Sequence, residues 1–584
     1  LLWFFEGGAL VESDLFLGGD GRVSVRVDFV DLTPGDVSAL GRYATGGAAS
    51  FWRTWSLSEG EKLTGKGMAF APFEAVRGHS TASALKAAYL DAADKLKTEG
   101  KSFELPAYQK EKLARSAMDE WEVAHPNRLE VATSSATHLF DFVGGPRLAG
   151  RFDFVFVPAI LDAEEATRDA RGSLLARLVE RSTANQERID AQIRELTSSF
   201  ASDVRRVISD EHQVGLAALG ERVTRSLRTY VPGATVSFDV AEPAFRPPTA
   251  IFSLRVADHD VKTDVTRQGH GFQRALIVAT LQELAAVGEV DDPPAVFLAI
   301  EEPELFQHPS QARHFSSVLA SLPRRGLGAI QVAYATHSEY FVDAANYEQL
   351  RRFRKPRTMG TPSAAVASAT VDAVTRRLVG WLRPEEAAGR ISIALRRRLS
   401  EAVFADAVIL VEGVSDAGAL LGVADRSVSF DAMGVSVIAL GGKSVLPLGH
   451  AILSELGIPV YTVFDADRDL EDRMRKSDKS DSDIRASVAE TARSNQKLLE
   501  LLGAYGMEWP DTVVAPTYAV FRTSLDDELA CRWPEAAELV GELSREAGSR
   551  SKSDEWYRAA VLRASTEPPS VFGEIYTAAI ALRG

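Results

Sequence analysis

Two hydrophobic periods divide the chain. Between 405 and 467 the apolar residues form short, almost unbroken runs, Asp406–Val411, Val435–Leu440 and Pro459–Phe464, as expected of parallel strands covered on both faces. Helix-length stretches separate the runs, which predicts a strand–helix–strand–helix–strand unit. Near the start, Arg22–Val30 alternates polar and apolar residues instead and predicts a half-buried antiparallel strand. Thr33-Pro34-Gly35-Asp36 opens a short predicted helix through Leu40. From residue 160 the period lengthens: Ile189, Ile193, Leu196, Phe200, Val204 and Val207 recur in steps of three and four, a narrow stripe on a long helix. Leu174, Leu175, Leu178 and Val179 suggest a helix before it. The pair reads either as a hairpin packed on its own domain or as an antiparallel arm used for dimerisation. Pro232-Gly233 ends this pattern, and Val236, Phe238 and Val240 predict a strand. Two further buried runs, Ala295–Ile300 and Ala329–Ala335, follow.

The polar residues that end these runs carry the candidate chemistry, because open α/β sheets place their sites beyond the carboxyl ends of the strands. Glu412 and Asp416 follow the first run of the 405–467 unit, Gly441-Gly442-Lys443 the second, and Asp465-Ala466-Asp467 the third. Four carboxylates brought together repel one another unless a cation neutralises them, and hard oxygen donors suit Mg²⁺ or Mn²⁺. Taken singly, each acid is an ordinary solvated strand end; the ordered set on successive strands makes the argument. A second constellation surrounds Ala295–Ile300. Glu301-Glu302-Pro303-Glu304 follows it, and two adjacent acids there can divide the holding of Mg²⁺ from the orienting of water. Upstream, Arg267–Arg274 opens a helix in which Gly269 and Gly271, followed by Gln273, let a phosphate approach backbone N–H groups. Downstream, Thr336-His337-Ser338 adds an imidazole donor. Two glycine–lysine stretches are rejected as phosphate loops. In Gly60–Lys66, Gly67 stands where a Ser or Thr is needed and a hairpin turn is expected; before Gly442-Lys443-Ser444, Val437 stands in the place of the first glycine.

Bulk properties narrow the function classes. A chain of 584 residues supports about two to four domains, and 45% hydrophobic with 25% charged residues is ordinary globular composition. No apolar run approaches a membrane span, and Leu1–Phe5 lacks the basic region of a signal peptide. The single Cys531 excludes an internal disulfide and fits a reducing cytoplasm. The 66 Lys and Arg against 81 Asp and Glu leave −15, which argues against coating nucleic acid through the whole surface. Locally the sign reverses: Arg351–Arg398 holds twelve basic and three acidic residues, including Arg396-Arg397-Arg398. This stretch reads as a solvated basic linker or as a phosphate-tracking surface just before the carboxylate unit.

Val411-Glu412-Gly413 and Asp465-Ala466-Asp467 resemble a Toprim domain, the metal-binding module of topoisomerases, bacterial primases and the OLD (overcoming lysogenization defect) nucleases. The order of the 267–338 motifs resembles ABC-type ATPases of the RecF/SMC kind, with signature loop, Walker B, D-loop and switch histidine. Glu301–Pro309 resembles the OLD version closely, with Glu301 where many ATPases have Asp. The implied fold is α/β: an ATPase (1–160 and 234–350) interrupted by a helical dimerisation arm (161–233), a basic linker (351–400) and a Toprim domain (401–584). The resemblance implies an ATP-responsive, metal-dependent DNA endonuclease or nickase, dimeric or of higher order, tied to phage defence or DNA repair. Likeness to the second, Gabija-like class, which is often encoded beside a UvrD-like helicase, rests on Leu305-Phe306-Gln307-His308.

By the same resemblance, Glu412 and Asp416 would hold one ion and Asp465 and Asp467 the other. Asp526 in Ser524–Leu529 would complete the set, with Glu528 as second choice. Lys443 or Lys552 would offset charge on the phosphate. The family's Walker A loop has no acceptable copy here: either it lies upstream of a chain that opens on Leu1 rather than Met, or the ATPase is inactive. Two rivals stand beside the nuclease. One is a nucleotide-gated DNA-binding or scaffold protein of RecF/SMC type with an inactive Toprim site. The other is a primase-like nucleotidyl transferase, disfavoured because one cysteine cannot build a primase zinc site.

Overall fold

The computed structural model describes residues 2–16, 19–79, 81–135, 152–159, 186–238, 255–258, 261–264, 267–269, 271–273, 275–276, 279–280, 295–324, 330–355, 364–378, 381, 398–477, 479–548 and 553–583. They divide into two compact units, Leu1–Leu10 with Val23–Ala335 and Val11–Arg22 with Thr336–Gly584.

The first unit opens with helix α1 (Leu2–Glu6), strand β1 (Arg22–Phe29) and helix α2 (Pro34–Leu40). Strand β1 alternates as predicted, with Val23, Val25, Val27 and Phe29 on its covered face. Thr33 starts α2 by accepting from the Asp36 amide, while the Asp36 carboxylate accepts from the Thr33 amide, a reciprocal cap. Strands β2 (Ala49–Ser56) and β3 (Gly60–Ala69) form an antiparallel hairpin. Helices α3 (Ala71–Arg77), α4 (Ala82–Glu99) and α5 (Glu111–Ala124) follow, and β4 (Glu130–Ser135) completes a sheet of order β1-β2-β3-β4. Gly60–Lys66 is thus a strand; the turn falls just before it, at 57–59. Its Gly65 is a close-packing glycine, since a Cβ there would lie 2.7 Å from the rings of Phe51 and Tyr43.

Beyond β5 (Phe152–Val157), the long helix α6 (Gln186–Arg228) carries the predicted stripe, with Leu196, Phe200 and Val207 exposed. The helix suggested by Leu174–Val179 lies outside the described residues. Val236 and Phe238 are not in a strand, contrary to the sequence pattern. The Val236 amide donates to Thr224 Oγ1 at 2.9 Å, so the backbone turns back on α6 instead of joining a ladder. A short hairpin, β6 (Arg255–Asp258) and β7 (Val261–Asp264), comes next. Strand β8 (Ala295–Glu301), helix α7 (Pro309–Ser321) and strand β9 (Ile330–Ala335) follow. β8 lies between β5 and β9, parallel to both, and buries Val296, Leu298 and Ile300.

The second unit begins with the pair β10 (Arg352–Arg354) and β11 (Ala365–Ala367), then helices α8 (Val371–Arg377) and α9 (Arg398–Ala402). The stretch expected to be a linker is therefore partly folded. Arg352 donates to the carbonyls of Val403, Gly457 and Ala405, and Val374 and Leu378 enter the core. The α/β repeat follows: β12 (Ala407–Val411), α10 (Val414–Asp425), β13 (Val435–Ala439), α11 (Leu446–Glu455) and β14 (Val460–Asp465). Then come α12 (Leu470–Lys476), α13 (Asp481–Leu501), β15 (Val513–Val514) and β16 (Tyr518–Phe521). Helices α14 (Leu525–Arg532), α15 (Pro534–Glu546), α16 (Asp554–Arg563) and α17 (Ser570–Ala581) end the chain.

The sheet order is β13-β12-β14-β16-β15, parallel except for β15. All of β12 is buried because the sheet is covered twice. Val408 and Leu410 face one core with Leu446, Ile452 and Phe464; Ile409 and Val411 face the other with Leu420, Tyr461 and Phe572. Each such aliphatic side chain contributes about 1.5–3 kcal/mol, and the ends of β12 and β14 are held by cores on both sides.

Candidate active site

The carboxyl ends of β12, β13 and β14 bring Glu412, Lys443, Asp465 and Asp467 together. The Asp465 amide donates to Glu412 Oε1 at 2.9 Å. Lys443, in the turn after β13, places Nζ 2.7 Å from Asp467 Oδ2 and 4.0 Å from the Glu412 carboxylate. Asp467 has the left-handed φ of 54°, a conformation that Asp tolerates better than most residues. Its amide donates to the Thr523 carbonyl at 3.1 Å, which ties it to the turn beyond β16. Asp416 is buried in the first turn of α10, where its Oδ2 accepts from the Gly413 amide at 2.8 Å. This cap stabilises the helix and keeps the carboxylate at the strand end.

Burial, together with Asp467 and Asp416, pushes the Glu412 carboxyl above the usual range, against the pull of Lys443 and the Asp465 amide. Asp465 is pushed up further, by burial and then by Asp416, Glu412 and Asp467. A site whose acids hold protons this firmly is short of positive charge. Its hard oxygen donors fit a divalent cation. Among the described residues, however, no three His, Cys, Asp or Glu side chains stand ready to hold an ion. Their carboxylates are drawn instead to amides, Lys443 and the residues named next.

Sequence reasoning missed three contributors. Arg473 on α12 pairs with Asp467 Oδ1 at 2.6 Å and with Asp469 at 3.0 Å. Asn495 on α13 is wholly buried. It accepts from Lys443 Nζ at 3.1 Å and donates to the carbonyls of Ala466 at 2.9 Å and Glu508 at 3.1 Å. A polar residue in line with buried Ala492 and Leu498 was the available signal. Tyr557 on α16 donates to Asp526 Oδ1 at 2.5 Å. Burial, then the neighbouring Asp526 and Asp416, keeps this phenol protonated far above its ordinary range.

Asp526 lies in the first turn of α14, beside Leu525, whose amide donates to Asp465 Oδ1 at 3.2 Å. Glu528 is engaged elsewhere, with the Thr512 hydroxyl and with Arg532 at 2.7 Å. Lys552, Arg396 and Arg397 lie outside the described residues, as does the side chain of Arg398, which opens α9.

In the first unit Glu301 ends β8, and the Glu302 amide donates to the Ala335 carbonyl at 2.8 Å. Gly269 starts a helical turn by accepting from the amides of Phe272 and Gln273. A Cβ on Gly271 would lie 2.8 Å from the Phe306 carbonyl, so the glycine turn sits against the 301–309 loop. Buried Gln273 donates to the Gln268 carbonyl at 2.8 Å. His337 is exposed, two residues beyond the end of β9.

Residues 161–342 match the AAA ATPase domain family, and residues 403–467 match the "Overcoming lysogenization defect protein-like, TOPRIM domain" family. The OLD nuclease of Thermus scotoductus is 26% identical over 313 residues, 51% of this chain and 53% of the relative. The Old nuclease of Escherichia phage P2 is 23% identical over 328 residues, 54% of this chain and 53% of the relative. The chain thus spans about half the length of the curated relatives it matches. Among solved structures, the C-terminal region of the Xanthomonas campestris pv. campestris OLD protein aligns with 31% of this chain and 96% of its own. That alignment has 18% identity and a TM-score of 0.23. Among the described residues no helix is long and apolar enough to cross a membrane. An AAA ATPase domain match is thus followed by an OLD-like Toprim domain match, and over about half its length the chain is similar to two proteins named as OLD nucleases.

Proposed function

We propose that the Toprim site makes this protein a metal-dependent DNA endonuclease or nickase whose activity responds to nucleotide. One observation carries the reading: the Asp465 amide donates to Glu412 at adjoining strand ends, and Lys443 lies 4.0 Å from Glu412 and 2.7 Å from Asp467, so carboxyl groups from two strands converge around one lysine. Glu412 with Asp416, and Asp465 with Asp467, are the pairs that would hold two Mg²⁺ or Mn²⁺ ions, with Asp526 completing the set. Bound there, the ions would activate water and stabilise the leaving oxygen of a phosphodiester. Lys443, fixed by Asn495, keeps an ammonium where the phosphate gains charge; Lys552 is the second candidate for that task. Arg396–Arg398 would track the DNA backbone. Glu301, Glu302, Gly269, Gly271, Gln273 and His337 would serve ATP in the other domain, the exposed stripe of α6 a homodimer or higher oligomer. A role in phage defence or DNA repair, in the second class and beside a UvrD-like helicase, completes the proposal.

The rival reading is a nucleotide-gated DNA-binding or scaffold protein of RecF/SMC type with an inactive Toprim site. One comparison separates the two. The double variant Asp465→Ala, Asp467→Ala should lose Mn²⁺-dependent nicking of supercoiled plasmid while keeping its thermal midpoint within a few degrees. Full residual nicking by the purified double variant would overturn the nuclease reading.

A further inference from the structure

Asp526 is the one proposed ligand that does not follow a strand of the 405–467 unit, and its placement depends on a helix more than twenty residues further along the chain. The first turn of α14 is fixed at three points. Ser524 accepts from the Asp527 amide at 3.2 Å, the Leu525 amide reaches Asp465, and the Asp526 carboxylate accepts from Tyr557. Tyr557 itself has little freedom. Its side chain is 5% exposed, and its ring packs in the same core as Leu420, Leu525 and Leu529. Helix α16, which carries it, approaches α10 closely because Gly418 and Gly422 are bare. A Cβ on Gly418 would lie 2.2 Å from the Asp554 carbonyl, and one on Gly422 2.9 Å from the Arg558 carbonyl. The ring is thus an apolar plug with one polar tip, and that tip is directed at Asp526.

We infer that Tyr557 is a positioning residue, whose hydroxyl orients the Asp526 carboxylate toward the cation site at the strand ends. The inference rests on the proposed metal-dependent reading. A hydrogen bond to a charged acceptor contributes more than a neutral one. Losing an outer partner of a metal ligand typically weakens metal binding about 10- to 100-fold.

The test uses the whole chain with Mn²⁺ as probe, its binding read directly from the electron paramagnetic resonance of free Mn²⁺. Tyr557→Phe removes only the hydroxyl. It should weaken Mn²⁺ binding about tenfold and lower nicking at limiting Mn²⁺, with recovery at high Mn²⁺ and an unchanged KM for DNA. In the Asp526→Asn background the same change should have almost no further effect on Mn²⁺ affinity, because the group it orients is gone. A merely structural role would lower the thermal midpoint and leave Mn²⁺ affinity alone, and that result overturns the inference. Equal, additive losses in both backgrounds overturn it as well. If Asp526→Asn itself leaves both Mn²⁺ binding and nicking intact, it is the assignment of Asp526 as a ligand that fails.

Discussion

Glu412 accepts a hydrogen bond from the backbone amide of Asp465 at 2.9 Å, so two acids on neighbouring strands are joined through the main chain of one of them. The bond holds the strand ends in register without bringing in a positive charge. Both carboxyls pay for this closeness through burial and mutual repulsion.

Glu412→Gln should therefore separate stability from activity. The amide oxygen can still accept from Asp465, while the buried negative charge is gone. In EDTA the thermal midpoint should stay level or rise. Metal-dependent plasmid nicking should be lost, since a neutral amide is a poor ligand for a hard divalent cation. A variant that nicks at the wild-type rate places the chemistry elsewhere.

Replacing Arg396, Arg397 and Arg398 together by Ala should weaken DNA binding and flatten its dependence on salt. Each phosphate that is no longer neutralised takes about one unit from the slope of log K against log salt. Fluorescence anisotropy with a labelled duplex at several salt concentrations measures this. An unchanged slope would make the triplet a solvated surface.

The strand ends of the Toprim unit were legible because a doubly covered parallel strand leaves almost no polar residue inside it, so the first acid after each apolar run stands out. Glu412 and Asp465 follow from that rule, Asp467 from its place two residues after Asp465, and Lys443 from the glycine pair before it. Arg473, Asn495 and Tyr557 did not, because they reach the site from helices whose faces alternate for ordinary packing reasons. The count of basic residues between 351 and 398 also misled in part. Arg352 is committed to backbone carbonyls and Arg377 to Glu455, uses that composition cannot reveal. Val236 failed for a local reason, a threonine hydroxyl taking the amide that a strand would need.

Gly418→Ala should be costly although alanine favours helices. The added methyl would lie 2.2 Å from the Asp554 carbonyl and 2.7 Å from its Cα, and backbone cannot rotate away as a side chain can. Helices α10 and α16 must part, at about 1–3 kcal/mol, and Tyr557 moves with α16. Urea denaturation should show the loss of stability, and nicking at limiting Mn²⁺ should fall with it. Wild-type stability in this variant would mean that the two helices are less tightly apposed than their glycines imply.

His450 gives the second unit a pH dependence of definite sign. It lies on α11, partly buried, with Nδ1 3.1 Å from the hydroxyl of fully buried Thr462 on β14. Burial, with the nearby charge of Arg377, lowers its pKa from 6.5 to about 4. The folded protein thus refuses a proton that the unfolded chain accepts. The stabilising contribution is fully present above pH 6.5 and is lost as the pH falls through that value toward 4. One proton changes stability by at most about 1.4 kcal/mol per pH unit, so the total is about 1–3 kcal/mol after allowing for partial exposure. Other groups titrate in the same range, so the informative quantity is the difference between wild type and His450→Gln, which keeps a polar group near Thr462 but cannot titrate. Urea midpoints at pH 7.5, 6 and 5 should show the wild type losing stability faster than the variant on acidification. Parallel profiles would mean that the imidazole takes up its proton as readily in the folded protein as in the unfolded chain.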